Sequence, residues 1–375
     1  VTNRAFASVL AVLLTTGWAA NHFAAVIPSL KESEGLSAAL LDGVFGIYAL
    51  GLLPGLFFGG TVSDRVGRAP VVIPGAVVAT AGTVSLLLWH DSTGLLIGRL
   101  VVGIGAGLTI GAGTAWAADL RGSVGTVLAG VFLTAGFAFG PLVSGIVGQF
   151  SSEPIALPFI VSAVVSAVAI VSAVLWSRVP TTSSATAATT DDREYSATSA
   201  LSWSLPMSLW VFASVTLAFV TLPSRMPTEL EGPLLSGIAA GTALITGIAV
   251  QTAARRGNWG PRTGVAGAGL AAVGYLLVAA GGSHPPVWLF AVCLLVLGAA
   301  YGLCLRAGLL DLESFAPPRI RGSLTGLFYI GTYLGFGLPV LLVLIEPSVG
   351  VVPPMLVLAV LAAVASGARA RRLAR

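Results

Sequence analysis

Three side chains able to hold or pass a proton sit inside long apolar runs: His22, Asp42 and Arg99. Ionisable groups in such runs are costly to bury and are functional candidates by default. At about 1.5 Å of rise per residue, His22 lies ~9 Å below the helix end marked by Pro28, and Arg99 lies ~6 Å below the start of its run at Leu95. Asp42 opens the run between them in sequence. Histidine titrates near neutrality, so the three together read as a protonatable cluster toward the outer side of a membrane. Plainer readings stand beside this one. Asp42 can cap a helix, His22 can be a hydrogen-bonded packing residue, and Arg99 can snorkel to the interface.

A second set of charges occupies the short polar segment Gly60–Arg68, GTVSDRVGR. Asp64 ends one apolar run and Arg68 starts the turn into the next, with Gly67 permitting a tight loop. Asp119, at the same end of a later run, is the natural third partner. The bland alternative is a loop whose arginines only set orientation.

Other chemistries are disfavoured. Gly103, Gly105 and Gly107 look like part of a dinucleotide fingerprint, but that motif must follow a strand and open a helix. Here Gly103, Gly107 and Gly111 form a stripe that lets another helix approach closely. There is no G-x-x-x-x-G-K-[ST], and the sole lysine is Lys31, so no nucleotide is expected. Cys293 and Cys304 would lie ~16 Å apart on one helix, too far for a disulfide, and match no metal motif. No cofactor or metal is expected. No dense set of catalytic groups converges at one depth, which argues against an intramembrane enzyme.

The elements that must position these residues are apolar helices. The chain of 375 residues is 56% hydrophobic and 9% charged, with mean hydropathy +0.95; a soluble domain carries about a quarter charged residues. Runs of about 20 apolar residues, enough to cross a bilayer, occur at Ala5–Pro28, Leu40–Val62, Pro70–Trp89, Leu95–Ala118, Val124–Phe150, Pro154–Trp176, Leu205–Pro223, Pro233–Ala254, Thr263–Gly281, Pro286–Leu309, Ser323–Ile345 and Val349–Ala368. The fold class expected is an all-α integral membrane protein with twelve transmembrane helices. The first run has the basic flank of a signal peptide, Arg4, but no convincing cleavage site follows it.

Charge gives the orientation. With the N-terminus in the cytoplasm, cytoplasmic segments hold fifteen of the nineteen basic residues, including Arg65, Arg68, Arg121, Arg255, Arg256, Arg319, Arg321 and Arg369 to Arg375. Only Lys31 and Arg225 fall outside, with Arg99 and Arg306 inside apolar runs. The positive-inside rule places both termini in the cytoplasm, and the plasma membrane is the expected location. The scattered arginines form no nucleic-acid patch. Arg306 is expected to snorkel inward near Asp311 and Glu313, and Glu229 and Glu231 belong to an outer loop.

Arg178–Trp203 is polar and poor in aliphatics, too poor to fold alone. It reads as a flexible cytoplasmic linker (178–203), with Asp191, Asp192 and Glu194 as solvated charge, between an N-terminal six-helix bundle (1–177) and a C-terminal one (204–375). An internal repeat supports two pseudo-symmetric halves. RGSVGT at Arg121–Thr126 recurs as RGSLTG at Arg321–Gly326, and GFAFGP at Gly136–Pro141 returns as GFGLP at Gly335–Pro339. In both halves the repeat begins the fifth helix. Such repeats are one recognised transporter construction.

Three motifs, in order on helices two to five, resemble the major facilitator superfamily. GTVSDRVGR resembles its G-x-L-a-D-R-x-G-R loop: Gly60, Asp64, Arg65, Gly67 and Arg68 match, while Val62 replaces Leu and Ala69 a basic residue. LLIGRLVVGIGAG, Leu95–Gly107, resembles l-x-x-x-R-x-x-q-G-x-g-a-a. Leu95, Arg99, Gly103, Gly105 and Ala106 match, and Val102 stands where Gln is typical. GFAFGPLVSGIV, Gly136–Val147, resembles the helix-five antiporter motif g-x-x-x-G-P-x-x-G-G-x-l. Gly136, Gly140, Pro141 and Gly145 match, with Ser144 and Val147 substituted; a generic Gly/Pro kink is the alternative.

The resemblance is to the twelve-helix drug/proton antiporter group. It implies a monomeric secondary transporter that exports a small organic molecule, amphipathic or drug-like, in exchange for protons by alternating access. In it Asp64 and Arg68 hold a charge network in the outward-facing state, a buried Arg99 faces the cavity and tunes a proton site, and the helix-five glycines let the halves meet. The family arrangement lines the cavity with helices one, four, seven and ten, nominating Trp18, Asn21, Thr109, Trp210, Ser214 and Tyr301. Uptake or facilitated diffusion on the same fold stays open.

Overall fold

A computed structural model describes residues 2–176, 195–227, 232–317 and 320–375. Twelve helices among the described residues are long and apolar enough to cross a membrane: α1 Asn3–Glu34, α2 Ala38–Val66, α3 Ala69–Leu88, α4 Ser92–Gly122, α5 Val124–Phe150, α6 Ala156–Trp176, α7 Ala197–Arg225, α8 Pro233–Arg256, α9 Arg262–Gly281, α10 Val287–Phe315, α11 Leu324–Val349 and α12 Val352–Leu373. No strand occurs among these residues.

Local chemistry marks the ends. Ser37 caps α2 by accepting the Leu40 N–H at 3.3 Å, so Asp42 is not the cap. Asp91 caps α4 through the Thr93 and Gly94 amides, and Ser196 caps α7. These side chains satisfy N–H groups that have no partner within the helix. Between α4 and α5 the chain turns on Arg121 and Gly122 alone. Gly122 takes φ 59° and ψ −140°, a left-handed backbone that a Cβ would strain.

Several boundaries differ from the sequence expectation. α1 continues through Pro28, which lies inside the helix, so Lys31 sits on its last turn rather than in a loop. α7 starts at Ala197, making the end of the expected linker its first turns. The linker residues Arg178, Asp191, Asp192, Arg193 and Glu194, the outer-loop Glu229 and Glu231, and Arg319 lie outside the described residues.

The helices cluster into two compact units: Val1–Thr186 with Gly232–Gly241, and Ala187–Glu231 with Thr242–Arg375. In the first unit, Phe6, Val9, Leu13, Val72 and Trp116 form a buried core. In the second, Phe212 packs against Tyr301, Tyr333 and Phe336 with ring centroids 4.6–5.9 Å apart.

Helix faces are inverted relative to a soluble protein. On α6, Ser162, Ser166, Ala169 and Ala173 are buried, while Val164, Val168, Val171 and Leu175 are exposed. Small residues inside and bulky aliphatics outside suit a lipid solvent, where close backbone packing rather than expulsion of water joins helices.

Glycine makes that packing possible. Added Cβ atoms at Gly51, Gly103 and Gly107 would overlap backbone across the α2–α4 contact, and at Gly298 and Gly302 across α8–α10. α7 contains a π-helical turn at Leu217–Thr221, and α11 a 3₁₀ turn at Leu334–Gly337. The Thr216 hydroxyl donates to the Gly335 carbonyl at 3.1 Å, joining the two irregular segments.

Candidate functional site

The α2–α3 turn carries a connected charge network. Arg68 donates through Nε to Asp119 Oδ2 at 2.8 Å, and through Nη1 to Ser63 Oγ at 2.8 Å and to Asp64 Oδ1. Three helices meet there: Asp64 ends α2, Arg68 precedes α3, and Asp119 sits at the end of α4. Gly67, at φ 97°, turns the chain so that Arg68 folds back over Ser63. Partial burial alone would lower the Arg68 pKa. The hydrogen bonds and charges of Asp119 and Asp64 outweigh it and hold the guanidinium above its ordinary value. Arg65 points outward, and Gly60 joins the network only through its carbonyl, which accepts the Ser63 hydroxyl at 2.8 Å.

Arg99 is fully buried, which overturns the snorkelling reading. It does not face an open cavity either. Its guanidinium donates to the carbonyls of Ala20 at 3.0 Å, Phe45 at 3.2 Å, and Ala19 and Val44 at 3.4 Å. The rings of Phe23, Phe45 and Tyr48 lie 4.7–5.7 Å from its central carbon. The residue therefore ties α4 to α1 and α2 through backbone dipoles. On α1 its carbonyls lie just before His22, where the α-helical run is interrupted.

The predicted three-residue cluster is brought together only in part. His22 is fully buried, and Arg99 contacts α1 on either side of it, at the Ala20 carbonyl and the Phe23 ring. Its ring meets Phe159 edge-on at 5.3 Å, and neither ring nitrogen has a hydrogen-bond partner among the described residues. The reading of His22 as hydrogen-bonded packing is therefore corrected. Asp42 is buried, but among the described residues no ion pair joins it to Arg99, whose donors are taken by carbonyls one turn further along α2.

The helix-five motif also divides. Cβ atoms at Gly136 and Gly140 would overlap the backbone of Leu14 and Trp18, so these glycines seat α5 on α1 within one unit. This corrects the expectation that they join the two halves. Gly145 meets Pro233 and Gly237 at the start of α8, and Gly237 lies against the Pro141 carbonyl. Pro141 stays inside a continuous helix.

The nominated substrate positions fall in both units. Trp18 and Asn21 are buried on one face of α1, and the Trp18 Nε1 and Asn21 Oδ1 atoms lack partners among the described residues. Thr109 does not line a cavity: its hydroxyl donates to the Gly105 carbonyl at 2.8 Å and packs against Gly75 of α3. Trp210 packs on Tyr275 at 6.0 Å, Ser214 is buried, and Tyr301 lies against Gly247 of α8.

Sequence reasoning missed two ion pairs. Asp311, expected beside Arg306, instead binds Arg369 through both carboxylate oxygens at 2.7 and 2.8 Å. Arg369 had no distinguishing signal among the four arginines that end the chain. Arg225, expected in an outer segment, pairs with Glu346 at 3.2 Å.

The Major Facilitator Superfamily profile matches residues 7–340. Multidrug resistance protein MdtL of Klebsiella pneumoniae (strain 342) is 37% identical over 81 residues, 22% of this chain and 21% of that protein. MdtL of Escherichia coli (strain K12 / DH10B) is 38% identical over 81 residues, with the same coverage. The match thus spans about a fifth of these curated relatives. Among solved structures, peptide transporter POT in complex with sulfate superposes with a TM-score of 0.79 at 15% identity, over 99% of this chain and 94% of that one. A POT family transporter in complex with 5-aminolevulinic acid gives 0.79 at 14% identity, over 97% and 95%. At such identity the likeness shows the fold alone.

Proposed function

The chain belongs to the major facilitator superfamily and is a membrane transporter rather than an enzyme, and from that premise we propose that it exports a small organic molecule in exchange for protons. The observation that carries the reading is the helix-five motif, whose Gly136, Gly140 and Gly145 all take up tight backbone contacts. The partial likeness to multidrug resistance proteins supports it.

In this reading the protein works as a monomer in the plasma membrane with both termini in the cytoplasm, by alternating access. His22 carries the proton. An imidazole with both nitrogens unpartnered among the described residues can accept a proton at one and release it from the other. Arg99 is its fixed positive neighbour, and Asp42 is a second, separate protonatable group. Trp18 and Asn21 in the first unit, and Trp210, Ser214 and Tyr301 in the second, are the aromatic and sparse polar groups each unit offers an amphipathic substrate. The Arg68–Asp64–Asp119 network holds one state and yields in the other. Because it is partly exposed, it costs little to open.

The test uses everted membrane vesicles and a fluorescent lipophilic cation as probe. An acid-inside gradient should drive the probe into the lumen, and adding the probe should dissipate the gradient. His22→Ala and Asp42→Asn should each reduce gradient-driven flux at least tenfold. Probe movement down the proton gradient instead of against it would overturn export, and near-normal coupling in both variants and in Arg99→Ala would overturn the proton assignment.

A further inference from the structure

Arg369 is built into the second unit far more tightly than a terminal arginine needs to be. Its Nε donates to the Pro261 carbonyl at 3.1 Å. Nη1 donates to the Trp203 carbonyl at 3.2 Å and to Asp311 Oδ2 at 2.8 Å, while Nη2 donates to Asp311 Oδ1 at 2.7 Å. The Trp203 indole covers Arg369 at 5.1 Å and Arg372 at 3.9 Å, and stacks on Phe315 at 6.0 Å with planes 10° apart. Arg372 binds the Ser202 carbonyl at 2.9 Å, and the Ser196 N–H donates to the Phe315 carbonyl at 2.9 Å. Gly264 leaves the space for the guanidinium, because a Cβ there would overlap it. One side chain thus joins the start of α7, the α8–α9 turn, the end of α10 and the end of α12.

The first unit solves a similar problem differently. There the cation, Arg68, comes from the α2–α3 turn, and side-chain exposure is 17% for Arg68, 22% for Asp119 and 62% for Asp64. In the second unit the α8–α9 turn contributes only a carbonyl, the cation comes from the last helix, and exposure falls to 3% for Arg369 and 5% for Asp311. Water competes readily for a half-exposed pair. Parting a buried, bidentate pair leaves a charge stranded.

We propose that Arg369 and Asp311 are positioning residues that form a permanently closed tie, keeping this end of the second unit in one piece throughout transport, whereas the Arg68 network of the first unit is built to open. The tie also fixes the first turns of α7 through the Trp203 carbonyl. The inference rests on the protein being a transporter and not on the direction or coupling of transport.

The test is thiol accessibility in membranes, in a background with Cys293 and Cys304 replaced by alanine. Thr263 is fully buried beside the tie, so Thr263→Cys reports its opening. Labelling by N-ethylmaleimide should be slow, and unchanged within twofold by a proton gradient of either sign or by Arg68→Ala. Adding Arg369→Ala should raise it at least tenfold, and Arg369→Lys should raise it less. Where Arg369→Ala does not accumulate, the Asp311→Asn/Arg369→Gln pair keeps polar side chains at both positions, removes the charges and serves as the opened variant. The idea is overturned if the opened variant labels like the parent, or if a gradient or Arg68→Ala alone accelerates labelling in the parent. Loss of proton-driven flux with this labelling pattern intact would count against proton-coupled export and leave the tie standing.

Discussion

Arg99 meets four carbonyl oxygens and three aromatic faces, and no carboxylate among the described residues. Its donors spread across a plane, which a single ammonium cannot reproduce. Arg99→Lys is therefore expected to lose at least two of these bonds while keeping the buried charge, destabilising the protein by about 2–4 kcal/mol. A thermal melt of the purified protein in detergent reads this directly, and an unshifted melt would refute the account. Arg68 behaves differently because solvent reaches its partners. Asp119→Asn should cost about 1 kcal/mol or less in stability, yet depress transport more than tenfold if the network holds one state of the cycle. Equal flux in parent and variant would reduce that network to loop decoration.

At the scale of the helix, the repeated Gly-Phe segments have a concrete task. Gly136 lets α5 lie on the backbone of α1, and Gly335 lets α11 lie on the backbone of α7 at Phe212 and Ala213. Gly136→Leu or Gly335→Leu must push those helices apart, and each should abolish a monodisperse peak in size-exclusion chromatography. Gly130 and Gly326 have open space around them, so Gly130→Ala and Gly326→Ala should elute like the parent. The helices themselves were legible from apolar run length, since a bilayer demands about 20 such residues wherever they occur. Their ends were less so. Pro28 looked like a terminus because proline removes a helix donor, but α1 absorbs it and runs on to Glu34. The partner of Arg68 was legible because Asp64 is one turn away and Asp119 ends the adjacent run. The four carbonyls around Arg99, the isolation of Asp42 and the Arg369–Asp311 pair were not. Each depends on helix rotation and on backbone groups that every residue carries alike.

For the molecule as a whole, each compact unit repeats one scheme of glycine-mediated contacts, α2–α4 and α5–α1 in the first and α8–α10 and α11–α7 in the second. The similarity is in backbone geometry and has largely faded from the side chains, which is why only short echoes at Arg321 and Gly335 survived in the sequence. The Arg68 and Arg369 networks also differ, partly exposed in the first unit and buried in the second. The α4–α5 connection bears on how the protein can be handled. Arg121 and Gly122 are the only residues there that leave helical geometry, and a Cβ at Gly125 would overlap the Ala117 carbonyl. Two long rods are thus hinged with no slack. An epitope tag or a fluorescent protein spliced at Gly122 should eliminate surface expression in a flow-cytometry assay, whereas the same insert after Ser152, in the exposed stretch between α5 and α6, should be carried without loss.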